Sequence, residues 1–114
     1  EQLKEGAGIE VKALDDLEGL SPDWIINASS AGLKGDMPDL PVSLVTENTS
    51  CYDMVYAPGG TVFQHWAKAR GAKLAADGSG MLVEQAAESF FLWRGVRPDT
   101  APVLKELRSL LQID

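Results

Sequence analysis

Apolar residues in this chain fall into short runs that alternate with longer stretches at helical spacing. Ile9-Glu10-Val11-Lys12-Ala13-Leu14 alternates apolar with polar residues, and that period of two predicts a short strand with one face buried. Asp15 to Leu20 has the form of a single helical turn, acidic where the helix dipole favours it, and Ser21-Pro22 stops it. The short apolar run Trp24–Asn27 predicts a second strand, covered on both faces, which ends in the small-residue loop Asn27 to Gly32. Lys34 to Asn48 holds Gly35, Pro38 and Pro41 and reads as loop, with one turn near Ser43 to Val45. Thr49 to Tyr56 is rich in residues that suit a pleated surface, predicting a third strand closed by Ala57-Pro58-Gly59-Gly60.

The later half is helical in period. Thr61 is a candidate N-cap and Gly71 a candidate C′ residue. Between them Val62, Phe63, Trp66, Ala67 and Ala69 share one side, with Gln64, His65 and Lys68 on the other. Lys73 to Ala76 predicts a fourth, very short strand. A helix follows from about Gly80 to Arg94, closed by Gly95, with Leu82, Val83, Ala86, Ala87, Phe90 and Trp93 as its main apolar stripe. Met81, Gln85 and Leu92 fall near the opposite side, which implies that a ligand or another domain covers that side too. Asp99 or Thr100 starts the last helix, whose apolar face is Val103, Leu104, Leu107, Leu110 and Leu111. Strands alternating with helices predict an α/β fold, a partial parallel sheet of about four strands with C-terminal helices.

Composition narrows the partners. A net charge of −7 without a basic cluster argues against nucleic acid and anionic membrane. Cys51 is the only cysteine, so no internal disulfide and no cysteine-rich metal site is available. With no run of membrane-spanning length and no signal-peptide pattern, the expectation is a soluble protein of a reducing, cytoplasmic compartment. Glu1 to Gly6 reads as the end of a helix with no start signal, so a piece of a longer protein is expected.

The chemistry concentrates where strands end. Ala76-Asp77-Gly78-Ser79-Gly80 places a carboxylate and two glycines between a strand and a helix, the position where α/β proteins bind ligands. Gly-x-Gly alone is a weak signal. It gains weight from three motifs in order. Asp23 to Gly32 resembles the Asn-Ala-Thr/Ser loop of shikimate dehydrogenases, and Tyr52-Asp53-Met54-Val55-Tyr56-Ala57-Pro58 resembles their Tyr-Asp-Met-x-Tyr-x-Pro segment. Asp77 to Ala86, with Trp93 and Gly95 downstream, resembles their Gly-x-x-Met-Leu-x-x-Gln signature.

The resemblance implies the later part of a Rossmann-type NADP-binding domain plus the C-terminal helices. The substrate domain, its catalytic Lys–Asp pair, the Gly-rich pyrophosphate turn and the 2′-phosphate clamp lie outside such a piece, so no catalytic residue is expected here. It implies that Ala28, Ser29, Met54, Gly78 and Met81 meet the nicotinamide end of NADP. Tyr56 and Gln85 would meet shikimate or 3-dehydroshikimate. The activity implied for the parent is NADPH-dependent reduction of 3-dehydroshikimate, with this piece inactive by itself. Quinate/shikimate and aminoshikimate dehydrogenase paralogues, and a non-catalytic module on the same half-domain, remain open on these residues. Asp53 and Asp77 are expected to hold structure, His65 to be solvated, and Cys51 to be a small core residue. In strand order 3-2-1-4-5-6 the Ile9–Leu14 strand would lack its neighbours, leaving an apolar edge on Trp24–Asn27.

Overall fold

The computed structural model describes residues 8–112. Glu1 to Gly6, expected as the end of a helix, lies outside the described residues. Three parallel strands, β1 (Trp24–Asn27), β2 (Ser50–Asp53) and β3 (Leu74–Ala76), form a sheet in the order β1-β2-β3. Helix α1 (Val62–Ala69) crosses from β2 to β3, while α2 (Ser79–Arg94) and α3 (Thr100–Leu110) follow the last strand. Short 3₁₀ turns occupy Leu14–Leu17, Ser30–Lys34 and Val42–Leu44.

The Ile9–Leu14 strand does not form. Residues 9–13 are irregular, with Ile9 60% and Val11 85% exposed, and Leu14 already belongs to a 3₁₀ turn. Period-two alternation predicts a strand only where a neighbour supplies ladder hydrogen bonds, and none of the described strands pairs with this segment. The sheet therefore has three strands. β1 lies at its end, and the exposed Trp24 and Ile26 correct the expectation that this run is covered on both faces.

β2, the middle strand, carries the core. Cys51 packs with Val45, Phe63 and Ala67, and Ile25, Met37, Leu40, Trp66, Ala72 and Ala75 close around them. Phe63 and Trp66 stack with ring centroids 5.9 Å apart. Burial raises the Cys51 thiol pKa, as expected for a thiol used as a small apolar residue.

Local chemistry explains the helix starts. Thr61 caps α1 by accepting from the Gln64 N–H (3.1 Å), while the Gln64 side chain accepts from the Thr61 N–H (2.9 Å). The Gln64 amide also donates to the Ala75 carbonyl (3.2 Å), which joins the cap to β3. Gln64, expected on a polar face, is thus only 3% exposed, because both ends of its amide are satisfied inside. Val62 and Ala69, assigned to the apolar side, are exposed. Asp99 caps α3 through the Ala101 N–H, and Gly95 ends α2 in the left-handed conformation its C-terminus requires.

The helices after β3 are less covered than their pattern predicts. Of the α2 stripe, Val83 and Ala87 are buried, whereas Leu82, Ala86 and Phe90 are exposed and Trp93 is 79% exposed. Leu82, Phe90, Val103 and Leu107 line an apolar groove of about 340 Å³ where α2 meets α3.

Candidate functional site

β1 and β2 end on Asn27 and Asp53, and Asp77 follows directly on the last residue of β3, so a short carboxamide or carboxylate side chain stands at each of the three strand ends. Asn27 pairs in register with Asp53, and Tyr52 pairs with Ala76, which brings Asp77 into step beside Asp53. Each side chain accepts a hydrogen bond from the backbone N–H two residues on. Asn27 Oδ1 takes that of Ser29 (3.2 Å), Asp53 Oδ1 that of Val55 (3.2 Å) and Asp77 Oδ1 that of Ser79 (3.1 Å). Asn27 Nδ2 also donates to Asp53 Oδ1 (3.5 Å). A row of three such turns folds the chain out of the sheet at one end, and Asn27, Asp53 and Asp77, which accept these bonds, are all buried. Asp53 and Asp77 therefore hold structure, as expected.

Those turns present the candidate binding residues. Ala28 and Ser29 leave β1 and are exposed, but the Ser29 hydroxyl is already given to Asn27 Oδ1 (2.6 Å). Met54 is the first residue beyond β2 and donates its N–H to the Asn27 carbonyl (3.1 Å), while its side chain is exposed. Gly78 is buried against the same segment, donating to the Val55 carbonyl (2.9 Å). A Cβ at Gly78 would stand 2.3 Å from the Met54 carbonyl oxygen, so a glycine is required by close approach of backbone; φ is an ordinary −82°. Its carbonyl accepts from the Leu82 N–H (3.0 Å).

Met81 and Gln85 lie four residues apart on one face of α2, and both are exposed. Tyr56 is exposed beyond Met54. Neither the Tyr56 hydroxyl nor the Gln85 amide bonds to another side chain among the described residues. The structure thus brings Met54, Val55 and Gly78 into contact, puts Met81 and Gln85 on the helix that Gly78 caps, and leaves Ala28 and Ser29 at the far strand end.

Two residues escaped the sequence reading. Gly32 packs beneath this layer, where a Cβ would come within 2.9 Å of Val55 Cγ2. Arg108, on α3, approaches the last turn of the row: its Nη1 lies 3.8 Å from Asp77 Oδ1 and donates to Ser79 Oγ (3.4 Å). The only sequence hint was Asp77 itself, since a buried carboxylate calls for a cation, but nothing local says which one.

No group of three or more His, Cys, Asp or Glu among the described residues could hold a metal ion. No described helix is long and apolar enough to cross a membrane.

Parallel strands joined by a helical crossover, with loops gathered at their carboxyl ends, define part of a Rossmann-type α/β domain. Residues 78–108 match the family model for the shikimate 5′-dehydrogenase C-terminal domain. A shikimate dehydrogenase (NADP(+)) of Hahella chejuensis is 59% identical over 97 residues, which are 85% of this chain and 36% of that protein. An Ael1 enzyme from Pseudomonas putida is 48% identical with a TM-score of 0.73, covering 82% of this chain and 35% of the other. Shikimate 5-dehydrogenase from Thermus thermophilus, solved with NADP(H) and shikimate, is 36% identical with a TM-score of 0.64, over 76% of this chain and 33% of that one. The chain belongs to the shikimate dehydrogenase family, and it spans about a third of the length of the curated relatives it matches.

Proposed function

We propose that this chain is the later part of the nicotinamide-binding domain, with its C-terminal helices, of a longer NADP-dependent shikimate dehydrogenase that reduces 3-dehydroshikimate to shikimate. The observation that carries the reading is the Gly78–Met54 contact, which sets a glycine backbone and an exposed thioether side by side where two parallel strands end. A flat aromatic ring suits that surface, being apolar on its faces and able to use an acceptor at its edge. Met54, Met81 and the Gly78 backbone would hold the nicotinamide, with Ala28 and Ser29 along its ribose; bound NADPH supplies the hydride.

This chain aligns the reactants. The Asn27, Asp53 and Asp77 turns fix the backbone beneath the ring, so little ordering remains to be done when ligand arrives. Tyr56 and Gln85 present a hydroxyl and an amide that can bond the substrate's ring hydroxyls. Proton transfer falls to the Lys–Asp pair of the preceding domain in the same proposal, and the chain alone does not turn over.

The experiment is a steady-state assay of the full-length protein, following loss of NADPH absorbance with 3-dehydroshikimate, and with quinate in the reverse direction for the paralogous reading. Tyr56→Phe and Gln85→Ala should each raise the KM for 3-dehydroshikimate about tenfold while leaving the KM for NADPH within about twofold. A wild-type protein that oxidises no NADPH with 3-dehydroshikimate, or variants whose only change is in NADPH binding, would defeat the assignment.

A further inference from the structure

The last turn of α3 reaches both sides of the Gly78–Met54 contact. The Leu111 carbonyl accepts from the Gly59 N–H (2.7 Å), in the loop that continues from Met54 and Tyr56. One turn earlier, Arg108 donates to Ser79 Oγ (3.4 Å) and pairs with Asp77 Oδ1 (3.8 Å), the residues on either side of Gly78. The C-terminal end of α3 thus touches both loops, through the Arg108 side chain and through the carbonyl of its C-cap residue Leu111.

Burial decides how much that contact matters. Ser79 is fully buried, and the Asp77 side chain is 1% exposed. Asp77 Oδ1 already takes the Ser79 N–H and hydroxyl (3.1 and 2.5 Å), while its Oδ2 is buried without a hydrogen-bond partner among the described residues. A carboxylate so placed is costly unless a cation attends it, and Arg108, about one-third exposed, is that cation. A side chain from a separate helix thus contacts both residues that flank Gly78.

We propose that the end of α3 is a strap across the two loops, and that Arg108 is a positioning residue for the nicotinamide surface formed by Gly78 and Met54. The role rests on the functional reading above. It acts through Asp77 and Ser79 and places no α3 atom on cofactor or substrate.

The test uses the full-length protein with Arg108→Met, Arg108→Lys and, on the far side of α3, Glu106→Ala. Arg108→Met keeps the stem and removes the charge, and should lower kcat/KM for NADPH about tenfold through both kcat and KM. Arg108→Lys restores a cation and should recover most of that loss, and Glu106→Ala should match wild type. Two results overturn the proposal: Arg108→Met with unchanged constants, or Met and Lys variants impaired alike in proportion to their loss of thermal stability. A wild-type protein without NADPH turnover defeats the functional reading only. The strap is then read from hydrogen exchange at the Ser79 amide, where faster exchange in Arg108→Met sustains it and an unchanged rate removes it.

Discussion

Replacing Gly78 with alanine isolates the contact on which the site is built. The backbone there has φ −82°, which any residue adopts, so the whole cost comes from the added methyl group. It would stand 2.3 Å from the Met54 oxygen, 2.7 Å from the Met54 carbonyl carbon and 3.3 Å from the Val55 nitrogen, all of them backbone atoms that have no rotamer to change. Relief requires the Asp77–Ser79 turn and the Met54–Val55 segment to separate by about 1 Å, because ordinary contact begins near 3.4 Å. Overpacking of this kind costs about 1–3 kcal/mol, and losing the Gly78–Val55 hydrogen bond adds about 1 kcal/mol.

In the full-length protein, thermal unfolding of Gly78→Ala should therefore fall by about 5–15 °C, and the KM for NADPH should rise about tenfold or more. Two other glycines grade the effect. At Gly80 a Cβ meets nothing within 4 Å, so Gly80→Ala should be neutral or stabilising by up to about 1 kcal/mol. At Gly32 the obstacle is a single side-chain methyl, Val55 Cγ2, so the cost should be about 1 kcal/mol. A Gly78→Ala protein as stable and as tightly NADPH-binding as Gly80→Ala would mean that the Met54 carbonyl leaves room for a methyl group after all.

Four further outcomes test local interactions elsewhere in the fold. Thr61→Ala removes a buried cap from α1 and should destabilise by about 1–2 kcal/mol in urea unfolding, with Thr61→Ser recovering most of it. Cys51 should resist alkylation at neutral pH until the protein unfolds, since burial raises its pKa. The same shift gives a stability contribution that is intact below the unfolded thiol's pKa and lost as pH rises through the folded one; Cys51→Ala should abolish that alkaline loss. Glu88 bonds Arg97 twice on the surface, and hydrogen bonding to the guanidinium lowers its carboxyl pKa. Its contribution is present above the unfolded carboxylate's pKa and lost as pH falls through the lowered one. A side-chain NMR titration should show Glu88 returning to the ordinary value in Arg97→Ala.

Features that depend on a few neighbouring residues were legible along the chain. Thr61 marks the start of α1, Gly95 the end of α2, and Asp99 or Thr100 the start of α3, with Asp99 the cap in the structure, because capping bonds span three or four positions. The three motifs likewise pointed to the strand ends that carry the candidate site. Tertiary structure decided what depends on partners distant in the chain. Ile9–Leu14 has strand periodicity but no neighbour among the described strands, so residues 9–13 stay irregular and Leu14 joins a 3₁₀ turn. Gln64 looks like a surface residue until Ala75 is brought to its amide. The step-by-step alignment of Asn27, Asp53 and Asp77 exists only once the strands are in register, and the approach of Arg108 to Asp77 only once α3 has folded back. A glycine between strand and helix reads as an ordinary turn in sequence; that Gly78 has no room for a methyl group follows from where the Met54 carbonyl comes to lie.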